Sequence, residues 1–257
     1  MKMETYAPGT PSWIDLGVPD PARAATFYGG LFGWTAEEGP PEAGGYRMCL
    51  LRGEPVAGLG PQMNPDGPPY WTTYISVTDV AASTARAVEL GGAVYVEPME
   101  VMTAGVMSVC ADPSGAAFSL WEPRDHQGAA LVNEPGTFAW NELLTDDVDG
   151  SIAFYTALLG WTAQASAGEM AYTEFQLDGR SIAGLMAKPP DMPPEAPSMW
   201  TVYFAVDDAD AAVARIAELG GALLMGPMDI EPGRFATVAD PDGAVFNVMK
   251  LNADLAG

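Results

Sequence analysis

The sequence predicts an α+β protein of four βαβββ modules, arranged as two tandem domains. Two observations carry that prediction. At four places an aspartate is followed by a leucine eleven residues on and a glycine thirteen on: Asp20, Leu31, Gly33; Asp79, Leu90, Gly92; Asp147, Leu158, Gly160; and Asp208, Leu219, Gly221. A period of about 60 residues marks a repeated supersecondary unit. Nested within it, residues 8–36 align without gaps on 135–163, with 13 of 29 positions identical. Trp13 falls on Trp140, Phe27-Tyr28 on Phe154-Tyr155, and Gly33-Trp34-Thr35-Ala36 on Gly160-Trp161-Thr162-Ala163. The predicted domains span 8–124 (modules 8–62 and 69–124) and 135–252 (modules 135–189 and 198–252), joined by a linker over 125–134. A chain of 257 residues suits two domains of about 100–150 residues each.

Each module opens on an alternating run: WIDLGV at 13–18, TTYISV at 72–77, WNELLT at 140–145 and TVYFAV at 201–206. Alternation predicts a strand with two unlike faces. The repeated aspartate then begins an Ala-rich stretch closed by glycine, which predicts a helix with an Asp N-cap and a Gly at or just past its end. Helices are expected at about 20–32, 79–90, 147–159 and 208–219. Three strand-like pieces follow each helix, WTAEE, YRMCLL and PVAGLG in the first module and AVYVE, VMSVCAD and AFSLWE in the second. Phe27-Tyr28 and Phe154-Tyr155 read as core positions of helices. The joints PQMNPDGPP (61–69), KPPDMPPEAP (188–197) and WEPRDHQGAALVNEPG (121–136) read as extended spacers. Met63 and Met192 leave open a second role for the first two, as adaptable apolar lids.

A composition 48% hydrophobic and 18% charged builds real cores. Eleven Lys+Arg against 34 Asp+Glu give a net charge of −23, which weighs against nucleic acid and anionic membranes as partners, since both need clustered cations. The acidity serves solubility, or a field that concentrates cationic ligands. The chain shows no leader and no apolar run of spanning length, so a cytoplasmic protein is expected. Cys49 and Cys110 lie in strand-like runs and read as two core thiols.

The tandem modules, with V-x-D, F-Y and L-x-G-W in sequence and D-P-x-G near each domain's end, resemble the vicinal oxygen chelate superfamily. That superfamily includes glyoxalase I, bleomycin-resistance proteins and extradiol dioxygenases. GTPSWIDL, NELLTDD, YFAVDDADA and ADPDGAVF carry a narrower likeness to its two-domain, glyoxalase-like actinobacterial members of the antibiotic-cluster and mycobacterial-antigen type. The resemblance implies curved mixed sheets, each curling into a cup that in metal-dependent members holds a divalent cation on His, Gln or Glu. The ligand positions it implies on the first strands are Trp13, Thr72, Trp140 and Thr201. On the last strands they are Ser119 and Asn247, and on the VAGL and IAGL strands Gly58 and Gly184. None is a His or carboxylate, so neither a metal nor another cofactor is expected. The single histidine, His126, reads as a surface residue of the interdomain joint. Asp15 and Glu142, two residues past the tryptophans, leave a rearranged site open.

Alternation assigns the faces. Ile14, Leu16 and Val18 point to the helices, while Trp13, Asp15 and Gly17 point into the cup. The candidate ligand-binding residues of the first domain are thus Trp13, Asp15, Thr72, Tyr74, Ser119 and Trp121. Those of the second are Trp140, Glu142, Thr201, Tyr203, Asn247 and Met249. Such a set suits a flat aromatic molecule, with the acids able to hold an ammonium. Whether each tryptophan plugs its cup or walls a pocket stays open. Three functions follow. The first is metal-free binding of an aromatic, amine-bearing natural product of the aromatic-polyketide or anthracycline-like kind, sequestering it in antibiotic biosynthesis or self-resistance. The second is a metal-independent isomerase, cyclase or hydroxylase-associated enzyme on such a metabolite, with Asp15 or Glu142 as base and Tyr74 or Tyr203 as proton donor. The third, a glyoxalase-type lyase, lacks its metal ligands. The partner expected is a small aromatic molecule, neutral or cationic, and the assembly a monomer acting as an internal pseudo-dimer, or a homodimer.

Overall fold

A computed structural model of the chain describes residues 1–166, 171–190, 192–193 and 196–252. The first half runs β1 (Pro11–Val18), α1 (Pro21–Phe32), β2 (Thr35–Glu38), β3 (Arg47–Leu51), β4 (Glu54–Pro61), β5 (Tyr70–Ser76), α2 (Val80–Glu89), β6 (Ala93–Val101), β7 (Gly105–Ala111) and β8 (Ala117–Pro123). The second repeats it as β9 (Phe138–Thr145), α3 (Val148–Leu159), β10 (Thr162–Ala165), β11 (Tyr172–Leu177), β12 (Arg180–Ala187), β13 (Met199–Ala205), α4 (Ala209–Glu218), β14 (Ala222–Ile230), β15 (Gly233–Ala239) and β16 (Val245–Leu251). Each half forms one eight-stranded sheet, in the order β2-β3-β4-β1-β5-β8-β7-β6 and its counterpart β10-β11-β12-β9-β13-β16-β15-β14. Neighbouring modules therefore pair in one sheet, and each cup is built within a domain.

The four helices begin where their aspartates predict. Asp20 accepts from the amides of Ala22 and Arg23, Asp79 from Ala82, Asp147 from Gly150 and Asp208 from Ala211, satisfying amides that have no partner inside the helix. The repeated glycines divide into two uses. Gly33 and Gly160 close α1 and α3 in the left-handed conformation, with φ of 74° and 72°. In α2 and α4 the left-handed residue is instead the preceding glycine, Gly91 or Gly220. Gly92 and Gly221 are small because a Cβ there would lie 2.6 and 2.5 Å from the carbonyls of Ala111 and Ala239.

The apolar face of β1 behaves as alternation predicts, with Ile14, Leu16 and Val18 fully buried. The main cores, however, cross between domains. Phe27, Tyr28 and Phe32 of α1 pack edge-on or tilted against Phe204 and Phe246 of the second sheet. Phe154 and Tyr155 of α3 pack on Phe118 of the first. Trp71 Nε1 donates to the Tyr28 hydroxyl, which donates to Asp240 of the second D-P-x-G turn. Trp200 Nε1 donates to the Tyr155 hydroxyl, beside Asp112 of the first such turn. The F-Y and D-P-x-G motifs thus meet across the domain boundary. Cys49 and Cys110 are buried free thiols, with desolvation pushing Cys49 up to about 12. Among the described residues no helix is long and apolar enough to cross a membrane.

The interdomain joint is more than a spacer. Trp121–Pro123 belong to β8, and beyond them the chain folds back against the first domain. Ala129 and Ala130 donate to the carbonyls of Ser12 and Pro55, and Ala129, Leu131 and Val132 are buried. The Ala and Val side chains of GAALV give this segment an apolar surface to bury, which its prolines and charges hide in a compositional reading.

Candidate ligand-binding site

Strand register sets the first cup. Asp15 on β1 pairs with Gly58 of β4 on one side and Thr72 of β5 on the other. Trp13 pairs with Tyr74, Tyr74 with Ser119 of β8, and Trp121 with Met107 of β7. Directly paired residues share a face of the sheet, so these side chains converge. They wall a cavity of about 450 Å³ that all six predicted residues of the first domain line: Trp13, Asp15, Thr72, Tyr74, Ser119 and Trp121. Tyr70 and five methionines (Met48, Met63, Met99, Met102 and Met107) complete the apolar wall, and Gln62, Met63 and Asn64 bring the 61–69 joint to its edge.

At the centre lies a cluster of donors around one carboxylate. The Tyr74 hydroxyl donates to Asp15 Oδ2 at 2.8 Å, and Trp13 Nε1 donates to the Tyr46 hydroxyl at 3.0 Å. Tyr46 and Thr72 also hydrogen-bond Asp15. Tyr46 reaches this point because residue 58 is glycine: a Cβ there would stand 1.7 Å from the Tyr46 hydroxyl. Burial pushes the Asp15 carboxyl up to about 6, against the opposing pull of its donors. Burial and the Asp15 charge hold Tyr46 and Tyr74 well above their ordinary value, so both remain protonated donors.

The second cup repeats the centre. Tyr203 donates to Glu142 Oε1 at 2.8 Å, and Trp140 Nε1 donates to the Tyr172 hydroxyl at 2.8 Å. Gly184 makes the same room, a Cβ there standing 1.8 Å from the Tyr172 hydroxyl. Desolvation raises Glu142 as well. The surroundings differ. Asn247, paired with Tyr203, donates to Thr201 and accepts from Thr237. Phe235 stands in the place of Met107, and Tyr203, Phe235 and Met249 form a buried cluster with Trp140, Met225, Ile230 and Leu251 against it.

These residues do not suit the divalent cation that the fold family implies. The space left by Gly58 and Gly184, at an implied ligand position, is taken by phenol hydroxyls, and Trp13 and Trp140 present N–H donors. A cation needs lone pairs on carboxylate, imidazole or carbonyl groups. Among the described residues no three His, Cys, Asp or Glu side chains are grouped to hold one.

Sequence reasoning missed Tyr46, Tyr172 and four of the five methionines (Met48, Met99, Met102 and Met107), and it misplaced His126; Met63, read as a lid candidate, does lie at the cavity. The predicted surface histidine lines the first cavity, its ring 4.4 Å from Trp13 and 5.8 Å from Trp121, edge-on to both. The folded-back joint holds it there: Trp121 Nε1 donates to the His126 carbonyl, and the His126 amide donates to Ala104. Desolvation lowers the imidazole to about 4. A polar linker composition reads as solvent-exposed because it says nothing of which indole will fix its backbone.

Comparison with known proteins matches this architecture. Residues 137–248 fit the Glyoxalase/Bleomycin resistance protein/Dioxygenase superfamily, and residues 13–121 fit a glyoxalase-like domain. Among solved structures, the Mn(II)-bound glyoxalase from Novosphingobium aromaticivorans superposes with a TM-score of 0.66 at 16% identity, over 94% of this chain and 82% of its own. This likeness concerns the fold alone. The chain belongs to the glyoxalase/bleomycin resistance protein/dioxygenase superfamily. Within it, CFP32 of Mycobacterium tuberculosis (strain CDC 1551 / Oshkosh), which carries a glyoxylase name, is 44% identical over 97% of both chains. The anthracycline biosynthesis proteins DauV of Streptomyces sp. (strain C5) and DnrV of Streptomyces peucetius are 40% and 39% identical, over 97% of this chain and 96% of theirs.

Proposed function

We propose that the first cup binds a planar aromatic natural product of the anthracycline kind, without a metal, and serves antibiotic biosynthesis or self-resistance by sequestering it. The observation that carries this reading is the cavity of about 450 Å³, in which aromatic and methionine walls surround the carboxylate of Asp15 at the centre, with the exposed Glu42 and Glu100 also on its lining. Flat apolar walls supply stacking area, and methionines adapt to irregular ring edges. Among the described residues no Lys or Arg lines the cavity, so an amine or hydroxyl of the ligand would be the natural partner for Asp15. The likeness to two anthracycline biosynthesis proteins supports the ligand class.

One observation favours a second reading, a metal-independent enzyme. A carboxyl raised to about 6 and flanked by two phenols is suited to moving a proton near neutral pH. Titration with daunorubicin and with its aglycone, which lacks the amino sugar, separates the two. Binding predicts saturable quenching of tryptophan fluorescence, about tenfold weaker for the aglycone if a charge-assisted bond of about 1.4 kcal/mol is lost. The recovered ligand should be chemically unchanged. Absence of saturable quenching would sink the binding reading. A modified product, formed by the native protein and not by Asp15→Asn, would replace it with the enzyme.

A further inference from the structure

One polar atom of the first cup, His126 Nε2, is buried with no hydrogen-bond partner among the described residues. A buried polar atom without a partner costs about 1–3 kcal/mol, and native proteins rarely leave one in place without a use for it. The backbone of His126 is also held in place. Its carbonyl accepts from Trp121, its amide donates to Ala104, and its ring is wedged edge-on against Trp13 and Trp121. The backbone of His126 is therefore fixed beside the cavity, and its Nε2 is unpaired and covered in the ligand-free protein, so that a ligand reaches it by parting the side chains around it.

Resting on the aromatic-binding reading above, we propose that His126 determines specificity by reading a ring hydroxyl of the ligand through Nε2. A hydroxyl is the group the geometry favours, because it can donate or accept and so pairs with either imidazole tautomer. Carried at its ordinary position, a ring hydroxyl lies in the plane of the stacked system, where an edge-on imidazole can meet it. His126 would then sort hydroxylated polycycles from bare ones, while Asp15 binds whatever donor the ligand presents to the centre of the cup.

Because the chain holds one histidine, tag-free protein labelled with ¹⁵N-histidine gives a single imidazole spectrum. Saturating 2,6-dihydroxyanthraquinone should shift the Nε2 resonance, and unsubstituted anthraquinone should leave it in place. In parallel, His126→Phe, which keeps the edge-on ring, should bind the dihydroxy compound about tenfold more weakly, the worth of one hydrogen bond of about 1.4 kcal/mol, and bind anthraquinone unchanged. An Nε2 signal indifferent to the dihydroxy compound, or equal weakening of both compounds by His126→Phe, overturns the assignment while leaving aromatic binding intact. If neither compound quenches tryptophan fluorescence in the native protein, the aromatic reading fails and the assignment falls with it.

Discussion

At one register position of the two sheets, Ser119 of the first reaches the Tyr74 hydroxyl while Asn247 of the second is locked between Thr201 and Thr237. One strand further out, Met107 lines the cavity of the first cup where Phe235 packs on Tyr203 and Met249 in the second. The acid-and-phenol centre is the same in both, down to the glycine that admits the tyrosine hydroxyl. Duplication has thus preserved the centre while the walls diverged, toward an adaptable cavity in one half and a packed cluster in the other. The lesson is that an internal repeat conserves whatever holds the sheet together at its middle, and releases the surrounding positions to change. It also leaves the cavity of about 450 Å³ in the first cup, with the methionines on its wall.

The comparison is broken most severely at its tryptophans. Trp13 is 4% exposed and makes one wall of the cavity, so Trp13→Ala should lower stability by about 3–5 kcal/mol and abolish daunorubicin quenching. Trp140 is half-buried, so Trp140→Ala should cost less and leave daunorubicin affinity within about twofold. Urea unfolding and fluorescence titration measure both. Equal loss of binding in the two variants would mean that the second cup also takes ligand.

The glycines come next. Gly58→Ala and Gly184→Ala each drive a methyl group into a phenol, and each should cost about 1–3 kcal/mol. Only Gly58→Ala should also weaken daunorubicin. Combining it with Tyr46→Leu should cost less than the two single changes summed, since the second removes the group with which the first collides. Strict additivity would show that the two do not share that space.

How far the chain could be read in advance follows from the range of each interaction. Helices, caps and strand faces rest on local spacing, and Asp20, Asp79, Asp147 and Asp208 cap their helices as spacing requires. The cup face of β1 was legible for the same reason. Tyr46 was not, because its place at the centre depends on pairing between β3 and β4, across a turn. A signal for it existed: YRMCLLRGEPVAGL and YTEFQLDGRSIAGL repeat a tyrosine twelve residues ahead of the same glycine. The gapless alignment of 8–36 stops short of that pair. His126 was illegible in principle, since its position rests on contacts to Trp121 and Ala104 that no local pattern encodes. The crossing of the cores was also hidden. Phe27-Tyr28 announces burial, and nothing nearby in sequence says that Phe204 and Phe246 will do the burying.

The smallest expected effects lie in pH dependence, where two groups of the first cup pull in opposite directions. Asp15 has its folded value raised from 3.8 to about 6 by desolvation. Between those values the folded state binds the extra proton, so its contribution favours folding at low pH and is lost as pH rises through about 6. Asp15→Asn should therefore stabilise the ligand-free protein at pH 8 by about 1–2 kcal/mol, a figure discounted for the partial exposure of the side chain, and by nothing near pH 4. His126 is depressed from 6.5 to about 4, so there the unfolded state binds the extra proton. Its contribution is present above 6.5 and lost as pH falls toward 4. Relative to the native chain, His126→Phe should gain stability as pH drops across that window, whatever its offset at pH 8. Urea midpoints for the three proteins at pH 4.5, 6 and 8 give the two slopes directly. Glu142→Gln supplies the control from the second cup: its carboxyl is also raised by burial, so it should follow the sign of Asp15→Asn while leaving daunorubicin binding unchanged. Slopes of equal sign for Asp15→Asn and His126→Phe would show that one of the two groups is solvated in the free protein, and the cup correspondingly more open than its donors and indoles imply.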